Sequence, residues 1–362
     1  MSTESKAALS IRVALLFGVL YVFLFSIGLL GSSLKLFGAD FAKQLISTTS
    51  HPIVGLFIGI LATSIVQSSS MTTSLIVGLV GSSMLSVENA IPMVMGANIG
   101  TTITNLLVSM AHIRKSGEFR RAFAAGVVHD MFNLLSVALF MPLQIYTNFL
   151  GIASETLARA FSNVGGMTLF NPVKIVTKPV IHLVLEGINN NAIIGTIIAI
   201  VLLFASLNYM VKILKSVFIG HLAGLFERVI FKTQLRSFMV GLIITVLVQS
   251  SSITTSLIIP LAGSGVLNIF QVYPYTLGAN LGTTATAILA SLATGNLSAV
   301  SIAFAHMCFN LCGIIVFMPL KKIPIRLATK LAELSLRSKL IPIGFVLIVF
   351  FIIPLILVTI WR

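Results

Sequence analysis

Two short stretches carry most of the polar chemistry of this chain. Gln67-Ser68-Ser69-Ser70-Met71-Thr72-Thr73-Ser74 sets six hydroxyls and a carboxamide into apolar surroundings, and Gln249-Ser250-Ser251-Ser252-Ile253-Thr254-Thr255-Ser256 repeats it with one change. A block that polar is costly in hydrocarbon unless it lines a cavity or coordinates a ligand. Its duplication points to one site built from two halves. If each block marks a helix break, the helix starts there offer unpaired N–H groups and partial positive charge, which suit an anion with several acceptor oxygens. The remaining carbonyl and side-chain oxygens are hard ligands suited to Na+. Neither stretch contains lysine or arginine, so a multiply charged anion there needs co-bound cations. Carrying a divalent anion inward against about 100 mV costs roughly 4.6 kcal/mol, which about two monovalent cations would offset. No Cys/His cluster offers a transition-metal site.

The elements that must position these blocks are membrane helices. Of the 362 residues 57% are hydrophobic and 9% are charged, against about 25% charged in a soluble domain. Apolar runs near 20 residues indicate helices, whereas barrel strands would be about 10 residues with alternating polarity. The fold class is therefore an all-α integral membrane protein. The net charge of +14 falls between the apolar runs, as membrane orientation requires. No soluble region is present to form a basic groove for nucleic acid, so lipid is the expected surrounding. Cys308 and Cys312, four apart on one apolar helix, have poor disulfide geometry and read as packing residues.

In chain order, the first span runs from about Val13 to Leu30, amino end inside, with Lys6 and Arg12 before it. Pro52 opens an apolar segment that meets the first polar block, and each side of that block is too short to span alone. A re-entrant hairpin over residues 51–82 is one reading, and a single helix of about 28 residues is the other. Ile91–Ala111 follows, with Gly96-Ala97-Asn98-Ile99-Gly100-Thr101-Thr102 suggesting unwound backbone in mid-membrane. The loop His112–Arg121 carries four Arg/Lys residues against one Glu118 and is expected to be cytoplasmic. Ala122–Leu143 crosses back, and residues 149–191 form a connecting segment.

A second series starts at 192, with a span from Ile193 to Met210, a basic stretch (Lys212, Lys215, Arg228, Lys232, Arg236) and a second hairpin over about 237–264. Spans Tyr273–Ala293 and Ala299–Leu320 come next, the former containing Gly278-Ala279-Asn280-Leu281-Gly282-Thr283-Thr284. Residues 321–362 hold a basic amphipathic stretch and a final span.

Gln67 and Gly96 recur 182 positions on, at Gln249 and Gly278, whereas His129–Asn133 recurs 177 positions on, at His306–Asn310. The difference falls in a loop that is basic in the first half and uncharged, at Thr294–Ser298, in the second. Equivalent loops of opposite charge character belong on opposite membrane faces, so residues 1–148 and 192–320 are expected to be inverted repeats with about seven full spans and two hairpins. Polar hairpin tips meeting near the midplane would be a secondary-transporter architecture.

The paired Gln-Ser-Ser-Ser blocks, each followed by a Gly-Ala-Asn-x-Gly-Thr-Thr element, and the segment Phe119–Asn133 together resemble the type II sodium-dependent phosphate cotransporters and their short bacterial relatives. The resemblance covers most of the chain. It implies Na+-coupled uptake of inorganic phosphate in a plasma membrane, a bacterial inner membrane for a short member, with Na+ as coupling ion and no other cofactor. Carried over by motif, it assigns substrate and sodium to Gln67, Ser68, Ser69, Ser70, Gln249, Ser250, Ser251 and Ser252. The extension reaches Thr72, Thr73, Thr254, Thr255, Asn98, Thr101, Thr102, Asn280, Thr283 and Thr284.

Several rival readings stand beside this one. Sulfate or a dicarboxylate would suit the same hydroxyls and amides. A channel filter needs several copies around an axis, and an intramembrane hydrolase using His129 and Asp130 meets side chains about 100° apart on a helix. His129, Asn133, His306 and Asn310 read as structural hydrogen-bonding residues. Asp130, the acid deep in an apolar span, has Met307 as its counterpart and stays open. No residue pattern bears on oligomeric state.

Overall fold

A computed structural model describes residues 3–166, 171–222, 231 and 233–361. Every element among them is helical. The first half comprises α1 (Thr3–Lys35), α2 (Ala39–Thr48), α3 (Pro52–Val66), α4 (Ser69–Gly81), α5 (Val87–Gly100), α6 (Ile103–Met110) and α7 (Ser116–Thr147). The connecting segment holds α8 (Phe149–Asn163) and α9 (Asn171–Gly187). The second half comprises α10 (Ala192–Leu222), α11 (Gln234–Val248), α12 (Ser251–Ser264), α13 (Ile269–Gly282), α14 (Thr284–Thr294) and α15 (Leu297–Phe317). It is followed by α16 (Lys322–Ser335), α17 (Leu340–Leu347), a π turn at Ile348–Ile352 and α18 (Ile353–Trp361).

Six helices among the described residues are long and apolar enough to cross a membrane: Ile11–Lys35, Val87–Met110, Ser116–Thr147, Ala192–Leu214, Leu297–Phe317 and Leu340–Trp361. The first two helices after α1 meet at 95°, with Pro52 opening α3, and together could supply a seventh. Tyr273–Ala293, expected as one span, is two helices, α13 and α14, divided at Thr283. Burial separates the centre from the rim. Of the most apolar stretch of each span, 83% is buried in α5–α6 and 17% in the last span. The polar middle of the chain is thus wrapped in protein, and the most apolar helix is left for lipid. Within the basic stretch after α10, Arg228, Lys232 and the Lys215 side chain lie outside the described residues.

Two close helix pairs repeat between the halves. α3 lies against α5 and α11 against α13, each through glycines. A Cβ at Gly96 would fall on the Leu56 carbonyl, and one at Gly278 on the Phe238 carbonyl. This corrects the expectation of unwound backbone. Gly96 to Gly100 and Gly278 to Gly282 are helical, and their glycines admit a neighbouring backbone, as small residues do at membrane helix interfaces. Only Thr101 and Thr102, then Thr283, interrupt the helix, and they keep near-helical dihedrals. The connecting segment is likewise more ordered than its polarity suggests, since α8 packs on α15 and α9 on α1.

Overpacking of this kind costs about 1–3 kcal/mol or more. Gly96→Ala and Gly278→Ala should each lower the thermal unfolding midpoint of the purified protein. Gly18→Ala, whose added methyl would meet nothing within 4 Å, should leave it unchanged.

Candidate functional site

Each polar block breaks a helix in the same way. α3 ends where Gln67 adopts a left-handed conformation, φ 57°, its N–H bonding the Thr63 carbonyl at 2.7 Å. Ser68 is then extended, and its hydroxyl caps α4 by accepting from the Met71 N–H at 3.3 Å. In the second half Gln249 has φ 58° and the same 2.7 Å bond to the Thr245 carbonyl, and Ser250 caps α12 by accepting from the Ile253 N–H at 3.4 Å. The reading of one continuous helix through the first block is thereby excluded. A left-handed non-glycine residue is uncommon, and here it occurs at both matched glutamines.

The two breaks face each other. The Ser70 hydroxyl donates to the Gln249 carbonyl at 3.3 Å, and the Ser252 hydroxyl donates to the Gln67 carbonyl at 3.4 Å. Beside them lies a cavity of about 440 Å³ lined by Gln67, Ser68, Ser70, Gln249, Ser250 and Ser252. Of the residues expected at the site, these six reach the cavity. Thr101 joins them indirectly, within 3.2 Å of the Ser252 hydroxyl.

The other expected residues do not line the cavity. Ser69 and Ser251 are buried at the starts of α4 and α12, where their carbonyls accept from Thr73 and Thr255 at 2.7 Å. Thr72 bonds back to the Ser68 carbonyl, Thr283 to Ala279 and Thr284 to Leu281. Thr254 meets the Thr245 hydroxyl at 2.7 Å, and Thr255 donates to Asn105 at 2.9 Å across the halves. Thr102 donates to the Asp130 carboxylate.

Asn98 and Asn280 belong to a buried network. The Asn98 amide donates to the Asn310 side-chain oxygen at 2.6 Å, and its own oxygen lies 2.9 Å from His306 Nε2. Asn133 donates to the Asn98 carbonyl at 2.6 Å and Asn310 to the Asn280 carbonyl at 3.2 Å. The Asn280 amide reaches both Asn133 and Asn310 at 3.3 Å. It also lies against His129, beyond the strict geometry of a hydrogen bond. The four asparagines and His306 are thus hydrogen-bonded to one another where α5, α7, α13 and α15 meet, whereas neither ring nitrogen of His129 has a hydrogen-bond partner.

Three cavity residues escaped sequence reasoning: Thr104, Asn208 and Ser256. Thr104 has a legible signal, because Gly-Thr-Thr-x-Thr occurs in both copies, with Thr286 at the matching place. Asn208 is the one carboxamide in a mostly apolar span, and Ser256 closes the repeated block. Buried polar atoms without a partner include three first-half oxygens, the Thr63 and Thr104 hydroxyls and Asp130 Oδ2. These are oxygens a cation could use.

Matched helix breaks facing each other beside a cavity with hydroxyl and amide groups in its lining, inside a multi-pass bundle, suit a membrane transport protein. The chain belongs to the Na+/Pi-cotransporter family, whose profile matches residues 22–169 and 202–350. It is 34% identical to the sodium-dependent phosphate transport protein 2B of Homo sapiens, across 95% of this chain and 64% of that protein. It is 32% identical to the sodium-dependent phosphate transport protein 2A of Rattus norvegicus, across 95% and 67% respectively. The chain therefore spans somewhat less than two thirds of the first relative's length. No solved structure matches it.

Stranding a buried amide costs about 1–3 kcal/mol. Asn310→Ala, which removes partners from both Asn98 and Asn280, should lower thermal stability by at least that much whether or not Na+ is present. Stability loss confined to Na+-containing buffer would instead mark these amides as ion ligands.

Proposed function

We propose that the chain is a Na+-coupled symporter of inorganic phosphate in the plasma membrane, working by alternating access between two inverted repeats, residues 1–148 and 192–320. The connecting segment 149–191 and the tail 321–362 complete the arrangement. The observation that carries this reading is the reciprocal pair of bonds between the Gln-Ser-Ser-Ser breaks, Ser70 to Gln249 and Ser252 to Gln67, beside one cavity. On this reading the anion meets the N-terminal turns of α4 and α12, with their dipoles and hydroxyls. Sodium takes oxygen ligands among Gln67, Ser68, Gln249, Ser250 and the partnerless Thr63, Thr104 and Asp130 oxygens.

Contacts at the hairpin bases support the inversion. Arg121, from the basic loop, donates to the Gly263 carbonyl at the end of α12 at 2.9 Å. Asn296, from the uncharged loop, donates to the Gly81 carbonyl at the end of α4 at 3.1 Å. Each hairpin base thus sits at the loop that charge counting assigns to its own face. The family profile also covers the chain in two segments, one carrying each block.

Alternating access is supported by a difference between the halves. In the second half Thr286 donates to the Gln249 side-chain oxygen at 2.7 Å, and Thr245 meets Thr254 at 2.7 Å. In the first half the matching Thr104 and Thr63 hydroxyls have no partner, and the Gln67 carboxamide is exposed. Two equivalent latches, one shut and one open, are what one of two exchanging states would contain.

Labelled phosphate uptake into proteoliposomes under inward Na+, K+ or H+ gradients tests the function. Uptake should require Na+ and ignore excess sulfate or succinate, and Ser70→Ala or Ser252→Ala should reduce it at least about tenfold, the effect of losing about 1.4 kcal/mol. Sulfate or succinate that competes fully would move the substrate to another oxyanion.

The latches give a second test in a background lacking Cys308 and Cys312. Cross-linking of Gln249→Cys with Thr286→Cys should fall, and that of Gln67→Cys with Thr104→Cys should rise, when Na+ and phosphate are added together. Pairs that respond in the same direction would exclude the exchange.

A further inference from the structure

A second cavity, of about 340 Å³, lies away from the central site, between α1, α4, α9 and α14. Its basic lining is Lys35, Lys178 and His182, all three exposed, and no acidic residue lines it. None of the three makes an ion pair among the described residues. Asp40 is taken by Lys43 at 3.6 Å, and Glu186, one turn beyond His182 on α9, makes no ion pair either. Lys35 ends α1 and complements that helix's carbonyl end. Lys178 has no such explanation, since it stands in the middle of α9, away from either terminus. Gly28, Gly31, Gly78 and Gly81 also line the cavity, and they let α1, α4, α9 and α14 approach closely, since a Cβ at Gly28 would meet Ile181 and one at Gly81 would meet Thr294. The contrast with the cavity on the other side of α4 is sharp. That one, of about 400 Å³, is lined by Glu88 and Glu155 and by no base. Glu155 is paired with Arg159 at 2.6 Å, whereas neither Lys35 nor Lys178 has an acidic partner among the described residues.

We propose that the basic cavity binds a phosphate group, with the Lys35 and Lys178 ammonium groups and a His182 ring N–H as donors. Ammonium groups favour an oxyanion by charge-assisted hydrogen bonds, and three donors from two helices can surround one. The volume admits about ten bodies the size of a water molecule at about 30 Å³ each, enough for a phosphate group with part of its hydration. Lys35 also marks the end of a membrane-crossing helix, so both free phosphate and the headgroup of an anionic phospholipid can reach the cavity. The site does not depend on the Na+-coupled reading of the central cavity, because its cations are supplied by the protein.

Two arms separate the sources, using the 362-residue chain and its Lys35→Gln/Lys178→Gln variant. In the first, native mass spectrometry counts phosphatidylglycerol retained by protein released from mixed phosphatidylcholine and phosphatidylglycerol nanodiscs. In the second, inorganic phosphate binding is titrated in phosphatidylcholine nanodiscs with choline replacing Na+, which silences a Na+-dependent central site. The variant should bind about 30-fold more weakly in one arm, from the loss of two near-surface cations, and Lys35→Arg/Lys178→Arg should restore binding. Loss in the first arm names a lipid, and loss in the second names free phosphate. Equal binding by wild type and the Gln variant in both arms, or a loss that arginine does not restore, would overturn the proposal.

Discussion

Inside hydrocarbon a peptide carbonyl that leaves a helix has no water to turn to, and each such group costs several kcal/mol until it finds a donor. The chain leaves a helix at both matched glutamines, Gln67 and Gln249. Neither half supplies the donor for its own freed carbonyl; Ser252 serves Gln67, and Ser70 serves Gln249. The left-handed backbone at each glutamine, the serine caps that restart α4 and α12, and the cavity between them all follow from that exchange. So does the close approach of α3 to α5 and of α11 to α13, which brings the breaks to the centre of the bundle through backbone contacts at glycines.

The breaks themselves are legible in the sequence, because six hydroxyls inside an apolar run have few structural alternatives. The elements Gly96–Thr102 and Gly278–Thr284 are harder. Glycine within a membrane helix has two physical uses, unwinding and close packing, and only the position of a partner helix decides between them. Gly96 and Gly278 face backbone carbonyls, so the helix continues. The same limit explains Thr104 and Asn208. Their side chains reach the cavity because α6 and α10 are carried there by tertiary packing, which has no period in the sequence. The amphipathic helices α8 and α9 look like mere connection in the sequence for a related reason, since their apolar faces are narrow and gain a partner only from α15 and α1.

The asparagine network gives the centre a different character from the cavity beside it. Asn98, Asn133, Asn280 and Asn310 come from four helices and satisfy one another almost completely. Fully satisfied buried polar networks are stiff and specify one arrangement. The partnerless hydroxyls of Thr63 and Thr104 and the free oxygen of Asp130 lie outside that network. Both ring nitrogens of His129 and the Nδ1 of His306 are likewise without partners, so it is the four amides that are saturated.

The crossed bonds between the glutamine breaks have one more consequence. A half-length chain on its own would leave its break uncapped, and could cap it only by pairing with a second half. The contact would then depend on concentration and be lost on dilution. Joining both halves in one polypeptide makes the pairing intramolecular, with an effective concentration set by the tether rather than by expression level. Residues 149–191 need not touch a substrate to matter: they keep each half permanently within reach of the serine that completes it.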